Sequence, residues 1–436
     1  MTTSPSNSRS GSADQSPRQH PGTRRRLAWG AVLASTALLA GSVAGAPATA
    51  APSSAKADRE ASHGGGTCKP LVDAPTSGWT DYAEMKSELD RLERTSSGAI
   101  DVESIGTTHQ GRDIMAARVG SGPKVILVTG AIHGNEPTGV EAQLKVLKTL
   151  GAGSPQTQAM LEEVTLVSIP MLNPDGVELN RRINDVSWDE TLQLFPQLTG
   201  ATPAWYYRTS NLGTDRPGYD LNRDFHPDLD YVPQAADLPG VSEDPGFFLN
   251  AESRAVRDLY LDLQGEFGNV EAVVDLHHMG PCNETTGGPR DGKQVTVAID
   301  YPPLGENDGA AYLDEYPQLD QDKSRRYALA AMDGITESYG AQSPLAGVVR
   351  YLHPEEREFA GQGRSAFALN GSASVLFEVR GQTQSYGHKQ KGMLTKTVET
   401  GLVSMLESMA DGSVDELDGD DFFEYPDYGW DTASGD

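Results

Sequence analysis

The sequence predicts an α/β fold, a single domain with a mixed, largely parallel central β-sheet flanked by helices. Three observations predict it. Four short runs, Val125 to Val128, Val164 to Ile169, Val270 to Leu276 and Ser374 to Val379, are apolar or β-branched and bounded by turn residues. Such runs read as strands buried on both faces. Segments of helical periodicity lie between them, and alternation of strand and helix argues for a sheet covered on both sides. Finally, polar side chains gather at the ends of three runs: His133 and Glu136, His277, and Glu378. Open α/β sheets bind ligands just beyond their strand ends.

Taken in order, the first fifty residues stand apart. Arg24, Arg25 and Arg26 precede an apolar stretch from Leu27 to Leu39, and Ala48-Thr-Ala50 closes it. A basic start, an apolar middle and an A-x-A end describe a secretory signal over residues 1–50, removed from the mature chain. The apolar part is too short for a comfortable membrane span. Thr23 to Leu27 suits a twin-arginine export signal as well as a Sec signal. Residues 51–69 are rich in Ala, Ser and Gly and read as a flexible leader. One folded domain is expected over 70–410. A helix from Thr80 to about Thr95 places Tyr82, Met85, Leu89 and Leu92 on one face, with Thr80 or Asp81 as cap. Strands are expected at 100–106 and 113–120, joined by a turn at Gln110-Gly111. The strand at 124–130 follows, then a helix at 138–150, the strand at 164–169 and a turn-rich loop at 170–176. Residues 185–219, with Trp188, Phe195, Trp205, Tyr206 and Tyr207, lack a period and read as an insertion. Helices are expected at 248–266, 323–339 and 389–409, and a loop at 281–322. The tail 411–436 carries Asp and Glu throughout without an apolar period, and reads as disordered.

The chain of 436 residues has a formal net charge of −27. Without residues 1–50 it keeps 30 basic against 61 acidic side chains, a net of −31. Such a surface disfavours nucleic acid and anionic lipid as partners, and the mature form is expected to be a soluble, membrane-free monomer. Two cysteines, Cys68 and Cys282, suggest a disulfide in an exported protein, with two free thiols as the alternative.

The chemistry begins with His133-Gly-Asn-Glu136. An imidazole and a carboxylate three apart on a short loop can converge on one metal ion, although a surface His beside an unrelated Glu has the same spelling. A catalytic zinc site needs three protein ligands and one open position. His133, Glu136 and His277 supply such a set, with His278 as the neighbouring alternative. A carboxylate inside Val375-Leu-Phe-Glu-Val379 is costly unless it is used or paired, for instance with Arg380. Near a metal, Glu378 can serve as general base.

Four blocks occur in order: His133-Gly-Asn-Glu136, Asn173-Pro-Asp-Gly176, Asp220-Leu-Asn-Arg223 and Asp275-Leu-His277, closed by Phe377-Glu378. Together with Ile105 to Arg112 they resemble the zinc metallocarboxypeptidases of the carboxypeptidase A-like superfamily, over about residues 78 to 410. The resemblance implies one Zn2+ per chain on His133, Glu136 and His277, and Glu378 as the base that deprotonates water. It implies Arg182 as the group that stabilises the oxyanion, with Arg181 as competitor. Asn222 and Arg223 would hold the terminal carboxylate of a peptide substrate, and Asp220 would orient a ligand imidazole. The implied activity is hydrolysis of the C-terminal peptide bond. The HGNEP spelling is closer to peptidoglycan-peptide amidases and acylamino-acid deacylases of the same superfamily, which keeps that alternative open. The family's substrate-capping tyrosine has no clear counterpart, Tyr351 standing only in roughly the right region. Arg364 reads as an ordinary surface residue or as a further contact for a substrate carboxylate.

Overall fold

Eight strands, in the spatial order Ile100–Thr107, Asp113–Gly120, Val164–Ile169, Lys124–Gly130, Ala272–Met279, Ala373–Arg380, Val297–Asp300 and Val348–Arg350, form the sheet around which the chain is built. The structure is a computed structural model, and it describes residues 77–210, 215–280, 282–284, 290–351, 357–380 and 387–426. The expected signal and leader (1–69) and Cys68 lie outside these. Cys282 is buried and is not a free thiol.

Helix α1 (Tyr82–Thr95) starts where Asp81 accepts from the Glu84 amide and Glu84 reaches back to the Asp81 amide. It buries Met85, Leu89 and Leu92. β1 (Ile100–Thr107) and β2 (Asp113–Gly120) form an antiparallel pair at one edge. β3 (Lys124–Gly130) leads into α2 (Thr138–Gly151), then α3 (Pro155–Glu163) and β4 (Val164–Ile169), which returns parallel to β3. α3 was not expected. It has only Leu161 as a buried apolar residue, so no periodic signal marks it, but Ser154 caps it and Pro155 opens it. The expected loop at 170–176 holds the start of a short helix, α4 (Pro174–Glu178).

The insertion contains α5 (Trp188–Leu194) and the two-residue strands β5 (Tyr207–Arg208) and β6 (Gly218–Tyr219). It packs as a satellite core in which Tyr206 stacks on Phe247 and Tyr219 lies between Tyr206 and Tyr207. α6 (Ala251–Phe267) precedes β7 (Ala272–Met279), which lies parallel to β3 on the side away from β4. The stretch 281–322 is not all loop. It contains β8 (Val297–Asp300) and the single turn α7 (Glu306–Gly309). β8 is four residues long and has no alternation to betray it. α8 (Gln321–Tyr339), the short β9 (Val348–Arg350), α9 (Gly363–Leu369), β10 (Ala373–Arg380) and α10 (Gly387–Asp411) complete the fold.

Both faces of the sheet are covered, as the apolar strands require. Ile126 and Val128 of β3 join α1, α2, α8 and α10 in one core; Val125 and Leu127 join α6 and α9 in the other. No described helix is long and apolar enough to cross a membrane.

The acidic tail differs from expectation over 411–426. Two short 3-10 segments, Ser413–Glu416 and Gly419–Glu424, bury Val414 and Phe422. Phe422 meets Tyr301 edge-on and the Tyr425 hydroxyl donates to Asp333 (2.6 Å). Asp415 pairs with Arg326 at 3.3 Å. A few aromatics spaced without helical or strand period anchor the segment, and its acids meet arginines of α8.

The chain passes from β3 to β4 on one side and later to β7 on the other. The crevice beyond β3 and β7 is therefore a topological switch point, where open α/β sheets bind ligands.

Candidate active site

Sheet register places the chemistry. β3 ends with Gly130 opposite Leu276 of β7. The chain turns away there, through Ala131 at φ +48°, while β7 continues to His277. On the other flank of β7, Glu378 of β10 lies directly opposite His277. Three separate segments thus converge at one level of the sheet.

The loop 131–136 is braced from below. Asn173 donates through Nδ2 to Ile132 O (3.1 Å) and accepts from Gly176 N (2.8 Å). A β-carbon at Gly134 would lie 2.0 Å from the Gly176 carbonyl carbon, so only glycine fits this close approach. Asp175 ties in the β1–β2 turn, accepting from Thr108 Oγ1 (3.0 Å) and Arg112 Nη1 (2.6 Å). The Asn-Pro-Asp-Gly block is therefore a foundation for the His133 loop.

His133, Glu136 and His277 are 2, 1 and 3 % exposed. Their ligand atoms form one cluster: His133 Nδ1 is 2.9 Å from Glu136 Oε1 and 3.0 Å from His277 Nδ1, and His277 Nδ1 is 3.0 Å from Glu136 Oε2. The outward nitrogens face carboxylates, His133 Nε2 toward Asp220 Oδ1 (3.1 Å) and His277 Nε2 toward Asp275 Oδ2 (2.7 Å). Donating Nε2–H to these carboxylates leaves a lone pair on each Nδ1. Two lone pairs and a carboxylate then face one another and need a positive charge among them. Ligands 2.0–2.1 Å from a tetrahedral zinc stand about 3.3 Å apart, close to the spacing found. The donor set fits zinc.

The electrostatics agree. Burial pushes the Glu136 carboxyl up, but His133 and His277 outweigh it and hold it well below its ordinary value. Burial opposes charge on His277 too, yet Asp275 and Glu136 raise its pKa to about 10. Without metal, a proton on His277 thus supplies the missing positive charge. Asp220 is held well below its ordinary value despite burial, chiefly by Arg182 and His133. Burial, aided by the Glu136 charge, pushes Glu378 up to about 8.

His278 points elsewhere. Its Nε2 accepts from the Thr138 amide (3.0 Å), its ring meets Trp79 edge-on, and burial lowers its pKa to about 4. Arg182 Nε donates to Asp220 Oδ2 (3.0 Å), and its Nη1 lies 3.6 Å from Glu136 Oε1. Arg181 is buried and bonds to Arg216 O, Pro217 O and Asp185, pinning the insertion.

The peptidase M14 model, described as zinc carboxypeptidase, matches residues 85–401. The chain belongs to the zinc carboxypeptidase family. A zinc carboxypeptidase of Saccharothrix mutabilis subsp. capreolus is 27 % identical over 143 residues, 30 % of this chain and 33 % of that protein. The chain thus aligns with about a third of the length of this curated relative. Among solved structures, bovine thrombin-activatable fibrinolysis inhibitor, in complex with tick carboxypeptidase inhibitor, shares the fold with a TM-score of 0.51 at 12 % identity, covering 77 % of this chain and 98 % of that one. Carboxypeptidase A from Helicoverpa armigera gives 0.50 at 15 % identity, covering 77 % and 74 %.

Asn222, expected with Arg223 to hold a substrate's terminal carboxylate, stands beside His277. It is 3 % exposed: Nδ2 donates to Asp275 Oδ2 (3.3 Å) and lies 3.0 Å from His277 Nε2, while Oδ1 accepts from Gly363 N (3.1 Å). Arg223, next to it, is half-buried, and its Nη1 donates to Asn222 O (2.6 Å). Arg364 is no surface residue. It is 3 % exposed and pairs with Asp300 at 3.1 Å. Asp275, to which the sequence pattern assigns no role, is the partner of His277. The signal was present, because residues two apart on a strand share a face.

Proposed function

We propose that the protein is an exported exopeptidase that hydrolyses the last peptide bond of peptides bearing a free C-terminal carboxylate. The observation that carries this reading is the three-acceptor cluster of His133, Glu136 and His277, with Glu378 opposite His277 on the adjacent strand. When bound there, zinc acidifies water, draws electron density from a carbonyl oxygen and favours the ionised form of the Glu378 carboxyl. Glu378 takes a proton from the attacking water and returns it to the departing amine. Arg182, fixed by Asp220, places positive charge where the scissile carbonyl oxygen becomes negative. Arg223 presents its remaining N–H groups to the terminal carboxylate, which confines cleavage to the last residue. Asp220 and Asp275 hold the two imidazoles with Nδ1 turned inward. Asn222 acts behind this layer, bracing Asp275 and the start of α9.

Export rests on the arginine-led apolar stretch and Ala48-Thr-Ala50. The HGNEP spelling favours a second reading, an amidase or deacylase acting on cell-wall peptides or acylated amino acids. One experiment separates them: free peptides, C-terminally amidated peptides and muropeptides are incubated with zinc-loaded protein and followed by mass spectrometry. The exopeptidase reading expects loss of single C-terminal residues from free peptides alone, abolished by a chelator. Equal cleavage of amidated peptides contradicts it.

A further inference from the structure

The side of the cleft that carries Arg223 holds more arginine than one terminal carboxylate requires. The segment 357–364 runs alongside 222–225. Phe225 N donates to Gly361 O (3.2 Å), and Gly363 N donates to Asn222 Oδ1 (3.1 Å). The approach is tight, since a β-carbon at Gly361 would lie 2.8 Å from Arg223 O. Three guanidinium groups are brought into one neighbourhood by this pairing.

Arg223 and Arg357 lie 4.5 and 4.4 Å from the centroid of the same ring, Phe359. The ring orients both without neutralising either. Arg357 is exposed and has no acidic partner among the described residues. Arg364 is 97 % buried and rigidly held: Nη1 donates to Asp300 Oδ2 (3.1 Å) and Tyr301 O (3.0 Å), and Nε donates to Gln362 Oε1 (2.7 Å). Its Nη2 has no partner among the described residues. Burial, with the charges of Arg182, Arg357 and Arg364, pulls the Arg223 guanidinium down to about 10 against the attraction of Asp220. Like charges gathered in this way are relieved by an anion placed among them.

A peptide terminus brings one carboxylate, and the fork of Arg223 suffices for it. We propose that Arg357 and the free Nη2 of Arg364 receive a second carboxylate, the side chain of the C-terminal residue, so that the enzyme prefers peptides ending in Glu or Asp. This deepens the exopeptidase reading and rests on it. The net charge of −27 does not oppose it at contact range, because charges beyond about 8 Å are screened at physiological ionic strength.

The test uses full-length, zinc-loaded protein and otherwise identical peptides ending in Glu, Gln, Leu and Lys. The Glu/Gln pair isolates charge at nearly constant shape. The expected kcat/KM ratio of Glu to Gln is tenfold or more. Arg357→Gln, at an exposed position, collapses that ratio towards one. Arg364→Lys keeps a cation beside Asp300 but loses the fork, and lowers the ratio as well. A wild-type ratio below two, or an unchanged ratio in both variants, overturns the inference. If Leu- or Lys-ended peptides are cut best, the exopeptidase reading stands and this inference falls. If no peptide loses a terminal residue, both fall.

Discussion

Zinc binding must compete with a proton on His277, and the competition has a calculable size. In the metal-free protein this imidazole has a pKa of about 10, because the carboxylates of Asp275 (2.7 Å) and Glu136 (3.0 Å) outweigh burial. Glu136 lies well below its ordinary value and is already ionised at neutral pH. Between pH 6 and 9, therefore, His277 is charged and each zinc displaces its proton. The sign follows: deprotonation favours the metal, so affinity rises with pH, about tenfold per unit, until pH approaches 10. At pH 7 the gap of about three units costs about 4 kcal/mol of apparent binding free energy. Asp275→Asn keeps the shape and removes the charge, so His277 falls towards its ordinary value near 6.5 and the slope above pH 7 flattens by about one proton. The assay is competition with a chromophoric chelator from pH 6 to 9, with calorimetry in buffers of different ionisation enthalpy to count released protons. The wild type should release at least one proton per zinc at pH 8, and Asp275→Asn about one fewer. Zinc affinity that is flat from pH 7 to 9 in the wild type, or proton release identical in the two proteins, refutes the reasoning.

Three other outcomes follow from particular contacts. Glu378→Gln should lower kcat by about 10²–10⁴-fold, the range for loss of a positioned base, while zinc content by elemental analysis stays at one per chain. Gly134→Ala sets a methyl 2.0 Å from the Gly176 carbonyl carbon. Backbone must move, at a cost of about 1–3 kcal/mol or more, so thermal scans should show lower stability and titrations weaker zinc binding. Glu252 is fully buried, and burial raises its pKa to about 7. The unfolded chain releases that proton near 4.5 and the folded chain near 7, so stability is lost as pH rises through this window, by about 3 kcal/mol. Glu252→Gln should remove that share of the pH dependence, as read from thermal midpoints at pH 5 and 8.

The sequence made the long elements and the metal triad legible for one physical reason. A strand buried on both faces must be apolar for its whole length, so a histidine or glutamate at its end stands out. His277 and Glu378 were visible in this way, as was the helix carrying Met85, Leu89 and Leu92. What escaped reading has little local period. β8 and β9 take their place from neighbours rather than from their own four and three residues. The segment 413–426 is held by Val414 and Phe422 against α8 and its surroundings, and composition showed only its acids. At the site, spacing in sequence could name Asn222 and Arg364 as polar groups near the cleft. It could not show that Asn222 Nδ2 is directed at Asp275, or that Arg364 is buried on Asp300, because both facts depend on the approach of 357–364 to 222–225.

The central claim is that three side chains from two distant segments hold one zinc ion. Diffraction from zinc-loaded crystals above and below the zinc absorption edge tests it most directly. The account predicts a single anomalous peak about 2.0–2.2 Å from His133 Nδ1, His277 Nδ1 and a Glu136 carboxylate oxygen. A peak on His278, or stoichiometric zinc bound away from this triad, would contradict it.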